Sequence, residues 1–412
     1  MMKIADSSTP VVIVNCKLAA LGVMRSLGRN NVAVYGVDRD HMSPGMASRY
    51  CRKKYLMSLN GDNRAEFLEY LLKTGREIGR PSILIPTSDE TSVFVAENAD
   101  ALSEFYIFPK NDPELVKNLI SKKEMYSLAL KHNVPTAYTE FPRNLDDVMD
   151  YAKRGKFPVM LKGIHGNRLQ ERTGKKMVIV NTASELIENY KLLEDKDSPN
   201  IMLQEYIPGD DDQIYIFNGY FDRNSECLAA FTGHKIRQFP IHVGCASLGV
   251  CKWNETVSRI TVDFMKAIGY KGILDIGYRF DPRDGLYKVL DINPRIGQAF
   301  RLFLSENGMD VARALYLDLT GQERFPIVPV EGRRWIIEDF DLVSSLHYYQ
   351  EGTLTFLEWI KSFKNVEEGA WFSWKDPWPF CIMVCGLIKR TVTNLKKRLG
   401  FGRAVTARAI KG

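Results

Sequence analysis

The sequence predicts an α/β protein with a parallel layer at its N-terminus and antiparallel strands through its middle. Three observations carry that reading. Residues 11–14 are an apolar run, Leu18, Leu21, Val23 and Leu27 recur at roughly helical spacing, and residues 32–37 form a second run closed by Asp38. Together these read as a parallel strand, helix, strand unit. Residues 83–86 lead into Thr87, Ser88, Asp89 and Glu90, a helix N-cap signal with acids in the first turn. Residues 272–280 and 286–293 are two strand patterns joined by Asp281-Pro-Arg-Asp-Gly285, the turn chemistry of a hairpin.

At 412 residues the chain has room for more than one domain. We expect an N-terminal α/β domain over 1–115, a central domain over 116–325 and a C-terminal extension over 326–412. Hydrophobic residues at 45% and charged residues at 26% exclude a wholly disordered chain. The net charge of +6 favours anionic partners such as nucleotides, phosphorylated substrates or acidic lipid. The seven cysteines contain no CxxC pair, and no histidine stands near Cys381 and Cys385 to complete a zinc set. Such scattered thiols fit a reducing compartment. The start of the chain lacks the basic and apolar segments of a signal peptide, and the apolar run 379–388 is too short to span a bilayer. A cytoplasmic protein is therefore expected.

The parallel unit invites a dinucleotide-binding reading. However, GxGxxG is absent, and only Gly22 and Gly28 follow the first strand. Without those glycines the backbone cannot approach a pyrophosphate, so this layer is expected to buttress a site formed elsewhere. From Pro113 the pattern changes. Residues 114–131 read as helix, 158–162 as a strand ending in Lys162, and 163–174 as a polar, glycine-bearing stretch. A strand over 175–180, a helix over 183–194 and a strand over 201–207 follow, the last running into Pro208-Gly-Asp-Asp-Asp212.

The chemistry concentrates on the hairpin. Alternate strand residues share a face, so Asp291 and Asn293 point the same way, and Asp275 on the neighbouring strand reaches the same spot. Two carboxylates and an amide oxygen are a hard donor set suited to magnesium bridging phosphates. Arg295, in Asn-Pro-Arg, offers a planar fork for phosphate or a developing oxyanion. A solvated hairpin would also carry polar residues, but Val289, Leu290 and Ile292 on the same strand are apolar. Lys162 ends an apolar strand where a phosphate could sit, and Lys122 begins a helix. Either lysine alone reads as a surface residue. Gln204, Glu205, Tyr206 and Ile207 form a strand exit whose backbone can pair with an adenine edge, and Asp211 or Asp212 beyond the glycine can accept from ribose hydroxyls.

In this order the pieces resemble the ATP-grasp superfamily over about residues 119–318. They are Ser121-Lys122, Pro158-Val-Met-Leu-Lys162, the glycine-bearing loop before residues 175–180, Gln204-Glu-Tyr-Ile-Pro-Gly209, and Val289-Leu-Asp-Ile-Asn-Pro-Arg295. The resemblance implies a two-lobed fold with antiparallel sheets, preceded by the α/β domain. It implies that Lys122 and Lys162 bind ATP phosphates, and that Gln204, Glu205, Tyr206 and Ile207 form the adenine hinge. Asp211 or Asp212 becomes the ribose acid. Asp275, Asp291 and Asn293 hold magnesium, with manganese as the alternative ion, and Arg295 steadies the transferred phosphate. The metal acid is commonly glutamate, so Asp291 is one methylene short; the ribose acid is likewise an aspartate here. The runs Leu21-Gly-Val-Met-Arg-Ser-Leu-Gly28 and Pro86-Thr-Ser-Asp-Glu90 look similar to the carboxylate–amine ligase branch with its D-aspartate ligase-like members. So does Thr232-Gly-His-Lys-Ile-Arg-Gln-Phe-Pro240. In that branch Lys235 and Arg237 would face the γ-phosphate or an acidic substrate.

The expected activity is therefore ATP-dependent ligation of a small-molecule carboxylate to an amine through an acyl phosphate, releasing ADP and phosphate. The competing reading is an inactive nucleotide-binding regulatory or scaffold protein, which the intact Asp291-Ile-Asn-Pro-Arg295 disfavours. Near the C-terminus, residues 371–380 are rich in aromatics, and from Lys389 onward there are eight basic residues and no acid. Aromatics before a basic amphipathic helix suit peripheral contact with an anionic membrane at its inner face. Nucleic acid is not expected, since the charge lies in one tail without a recognised module.

Overall fold

The computed structural model describes residues 3–195 and 197–398. The apolar runs near the start of the chain are buried on both faces because they lie inside a parallel sheet. Its strands are β1 (Val11–Val14), β2 (Val34–Val37), β3 (Cys51–Tyr55), β4 (Ser82–Pro86) and β5 (Tyr106–Ile107), in the order β3-β2-β1-β4-β5. The helix Leu18–Gly28 follows β1 with nearly every residue buried. Its glycines serve packing. A Cβ on Gly22 would stand 2.5 Å from the Phe300 ring, and one on Gly28 would stand 2.6 Å from the Tyr50 ring. At the end of β4, Ser88 caps the helix Asp89–Glu97, as the sequence predicts.

A small antiparallel sheet follows, from β6 (Thr139–Glu140), β7 (Val159–Gly163), β8 (Met177–Val180) and β9 (Ile201–Glu205), ordered β6-β9-β7-β8. Val148 and Tyr151 of the helix Leu145–Arg154, with Leu186 and Tyr190 of the helix Ala183–Leu193, pack on Leu161 and Leu203 of this sheet. Two expectations change here. The helix expected over 114–131 is two helices, Pro113–Ile120 and Lys122–Lys131. Ser121 between them is extended, and its hydroxyl accepts from the Glu124 N–H, so the serine caps a new helix rather than continuing the old one. The glycine-bearing stretch 163–174 contains the helix Gly166–Thr173, ended by Gly174 in the left-handed region at φ 74°.

The third sheet has seven strands: β10 (Ile214–Phe221), β11 (Cys227–Phe239), β12 (Cys245–Cys251), β13 (Gly272–Asp281), β14 (Leu286–Asn293), β15 (Arg334–Ile336) and β16 (Val366–Gly369). Their order is β14-β13-β10-β11-β12-β15-β16, antiparallel except for the last pair. Residues beyond 326 thus add two strands to this sheet. One apolar cluster runs from β1 and the helix Leu18–Gly28 through Phe300 and Leu315 to Ile216, Tyr220 and Ile273. The parallel layer and the large sheet are therefore packed as neighbours, which sets the ends of β1 and β4 against the hairpin. Arg25, buried in that first helix, donates to Asp376 at 2.9 Å and to the carbonyls of Ala370 and Trp371. That clasp holds the aromatic segment to the body. No helix among the described residues is long and apolar enough to cross a membrane. Arg403, Arg408 and Lys411 of the basic tail lie outside the described residues.

Candidate active site

The β13–β14 register decides the site. Asp275 stands opposite Asn293, and Asp291 stands opposite Gly277, with a bulge immediately after Gly277. Directly opposed residues share a face. The Asn293 amide donates to Asp275 Oδ1 at 3.3 Å and to Asp291 Oδ2 at 3.1 Å, so the three side chains meet at one point. Two glycines leave room for the carboxylates. A Cβ on Gly277 would lie 2.8 Å from Asp291 Oδ1, and one on Gly297 would lie 2.1 Å from Asp275 Oδ2. Arg295 closes the group. It donates to Asn293 Oδ1 at 3.1 Å and, through Nε, to Asp89 at 2.6 Å in the first turn of the helix after β4. The parallel layer thereby reaches the site through one ion pair.

Charge gathers around this point. Burial, and then the Asp291 carboxylate, push Asp275 up to about 6. Asp291 lies below the usual carboxylate range. Burial opposes that, but Lys122, Lys235, Asn293 and Lys162 outweigh it. Lys162 is half-buried and donates to Gln204 Oε1 at 2.7 Å. Desolvation, and then the Lys122 ammonium, bring Lys162 down to about 7. Lys122 donates to the Leu290 carbonyl at 3.3 Å, beside Tyr126, which donates to the same oxygen at 3.0 Å. Lys235 donates to the Gly244 carbonyl at 2.7 Å and to Gln238 Oε1 at 3.2 Å, and burial lowers its pKa.

The strand exit at β9 divides its residues between two faces. Gln204 is buried and turns inward to Lys162 and Thr139, whereas Glu205 points the other way, to Lys288 at 3.2 Å and Arg283 at 3.0 Å. The Glu205 N–H donates to the Tyr138 carbonyl and the Tyr206 N–H to the Pro158 carbonyl. Ile207 is buried, and its N–H has no hydrogen-bond partner among the described residues. The exit of β9 thus keeps one backbone donor unpaired among the described residues. Asp211 is held by Gln238 at 2.8 Å, by the Tyr348 hydroxyl and by His242, while Asp212 is exposed and, among the described residues, hydrogen-bonds only to its neighbour Gln213.

Comparison with known proteins follows the same lines. No family model matches the sequence. A D-aspartate ligase from Enterococcus faecium (strain Aus0004) is 25% identical over 287 residues, spanning 66% of this chain and 68% of its own. An L-amino acid ligase structure from Bacillus licheniformis superposes with a TM-score of 0.58 at 14% identity, over 79% of this chain and 76% of that one. An N5-carboxyaminoimidazole synthetase from Staphylococcus aureus, complexed with ADP, gives a TM-score of 0.62 at 12% identity, over 85% and 87%. This is the ATP-grasp fold.

Within the ATP-grasp frame, one expected residue is displaced. Lys235 and Arg237, two apart on β11, should share a face. A bulge between them breaks the alternation: Lys235 pairs with Gly249 and Arg237 with Leu248, the next residue along β12. Arg237 therefore turns to the opposite side, where it is buried and donates twice to Asp341, at 2.8 and 2.9 Å. Of the two, only Lys235 is near enough to act on the hairpin acids, and Arg237 is spent on Asp341. Sequence reading also passed over Arg279, which donates to the carbonyls of Ile207 and Gly209 and braces the hinge. It passed over Gly297 as well, since a single glycine after Asn-Pro-Arg carries no signal of its own. Among the described residues no group of three or more His, Cys, Asp or Glu is placed to hold a metal; the hairpin brings together two carboxylates and an amide. Arg237→Met is expected to destabilise the fold by about 3–5 kcal/mol, because Asp341 would remain buried without its counter-ion. Lys235→Met should change stability by about 1 kcal/mol or less. Urea unfolding of both variants checks this; equal losses would contradict the assignment.

Proposed function

We propose that the chain is an ATP- and magnesium-dependent ligase that joins a small-molecule carboxylate to an amine through an acyl phosphate. The observation that carries the reading is the meeting of Asp275, Asp291 and Asn293 at one point, with Lys122, Lys162 and Lys235 near enough to act on Asp291. The similarity to enzymes named as amino-acid ligases supports the choice of carboxylate and amine as reactants. We keep the division into residues 1–115, 116–325 and 326–412 as part of this proposal.

The donor set fits a hard divalent cation once the Asn293 amide turns over: the two carboxylates converge on its nitrogen, while the oxygen that would hold the ion accepts from Arg295. When bound, magnesium neutralises the phosphate oxygens between which charge moves. The chain's own residues do the positioning. Lys122, Lys162 and Lys235 bring positive charge to the polyphosphate, and its arrival offsets the burial and the Lys122 repulsion that hold Lys162 low. The Ile207 N–H meets the adenine edge and Asp212, the freer of the two acids, takes the ribose. Arg295, fixed by Asp89, orients its fork toward the transferred group.

A carboxylate oxygen attacks the γ-phosphorus, ADP leaves, and an acyl phosphate forms. The amine then attacks the carbonyl carbon, phosphate departs and the nitrogen loses a proton. The helix Gly166–Thr173 and its flanking turns, beside Lys162, serve as a cover that keeps water from the intermediate. With magnesium, ATP and a panel of carboxylates and amines, the protein is expected to release ADP. Asp291→Asn should lower turnover by about a hundredfold or more while the protein stays folded. Absence of ADP release across the panel, or an Asp291→Asn variant as active as wild type, overturns the proposal.

We also infer peripheral contact with an anionic membrane through the C-terminal helix. Trp374 and Trp378 are exposed at 87% and 57%, beside exposed Lys375, and the helix Trp378–Arg398 continues with exposed Ile388 and Lys389. Apolar rings next to basic side chains suit an acidic lipid surface. Flotation with phosphatidylserine vesicles should carry the full chain upward and leave a chain ended at Gly386 behind. Equal behaviour of the two rejects a contact made by the helix beyond Gly386.

A further inference from the structure

One buried amide in the cleft holds two opposite charges at once. Gln238 lies past the β11 bulge on the same side as Lys235. Its Oε1 accepts from the Lys235 ammonium at 3.2 Å, and its Nε2 donates to Asp211 Oδ1 at 2.8 Å. Lys235 and Asp211 make no ion pair with each other among the described residues, although Asp211 is near enough to act on the ammonium. Each has a second anchor. Lys235 donates to the Gly244 carbonyl at 2.7 Å. Asp211 accepts from the Tyr348 hydroxyl and lies 3.3 Å from His242 Nδ1. Tyr348 in turn accepts from the Gln238 and His242 N–H groups at 3.3 and 3.4 Å, and His242 Nε2 is 3.0 Å from Glu351.

An ammonium and a carboxylate held apart by one amide, in a cleft partly removed from water, attract each other. Left alone they close into a pair, and the ammonium swings off the hairpin acids. A neutral side chain with one acceptor and one donor prevents that while satisfying both. We propose that Gln238 is a positioning residue for phosphoryl transfer: it keeps Lys235 aimed at Asp275 and Asp291, and keeps Asp211 tied to Tyr348 and His242. This rests on the ligase reading above and names a residue in that site to which sequence analysis gave no role.

The test is a double-mutant comparison of wild type, Gln238→Met, Asp211→Asn and the two together. Turnover and KM for ATP are read from ADP release, with thermal unfolding alongside. Gln238→Met is expected to lower kcat about ten- to a hundredfold. Adding Asp211→Asn should restore about tenfold of that loss, because no acid remains for Lys235 to pair with. A residue that only packs is not rescued by removing a neighbouring charge. If Gln238→Met fails to fold, the same comparison is made with Gln238→Glu, which keeps an acceptor for Lys235 and sets a second carboxylate against Asp211; Asp211→Asn should again raise kcat. A Gln238→Met enzyme within about twofold of wild type, or a double variant no faster than its parent, overturns the inference. If wild type itself releases no ADP, the ligase reading has failed, and calorimetric affinity for MgADP takes over as the readout. Gln238→Met should then bind about tenfold more weakly and the double variant should recover; equal affinities reject the positioning role.

Discussion

Surplus positive charge around one carboxylate is the constraint on which this structure turns. Asp291 has Lys122, Lys235 and Lys162 close enough to hold it ionised against the cost of burial. Its neighbour Asp275 is driven the other way, because a second carboxylate stands beside it. Lys122 and Lys235, with Lys162 brought down to about 7 by burial and by Lys122, face two acids, one of them raised to about 6, while Arg295 is already paired with Asp89. In a cleft partly removed from water such an imbalance is unfavourable until an anion arrives. A triphosphate with its divalent cation has the charge and the oxygen donors to complete the arrangement.

The three lysines come from three different parts of the fold. Lys122 opens a helix that packs against β14, Lys162 sits on the small sheet, and Lys235 sits on the large one. No single element could gather them. Their meeting depends on how the sheets are set against each other, and named contacts hold that setting. Arg279 ties the exit of β9 to β13. Arg295 and Asp89 tie the hairpin to the parallel layer, and a continuous apolar cluster lies behind both. The parallel layer has a Rossmann-like strand order but contributes an acid to the site rather than a phosphate loop, and its helix glycines are spent on packing against Phe300 and Tyr50.

The hairpin acids were legible in the sequence because strand alternation is strict where the ladder is regular, and Asp291, Asn293 and Asp275 fall on regular stretches. The same rule failed at Arg237, where a bulge moved the side chain to the other face, and nothing in Lys235-Ile-Arg-Gln238 marks a bulge. Helix ends were legible where a capping serine stands before acids, as at Ser88. They were misjudged at Ser121, where one serine ends one helix and starts the next with no glycine or proline between. Gln238, Gly297 and Arg279 could not be found in advance. Each acts on residues far away in sequence, and their types are common everywhere.

The most direct measurement is the binding of Mn2+ in the presence of ADP, followed by electron paramagnetic resonance, for wild type and for a chain carrying both Asp275→Asn and Asp291→Asn. Loss of the free-ion signal with wild type, and its persistence with the variant, is the expected result. Equal binding by the two proteins would mean that the hairpin acids do not hold the cation.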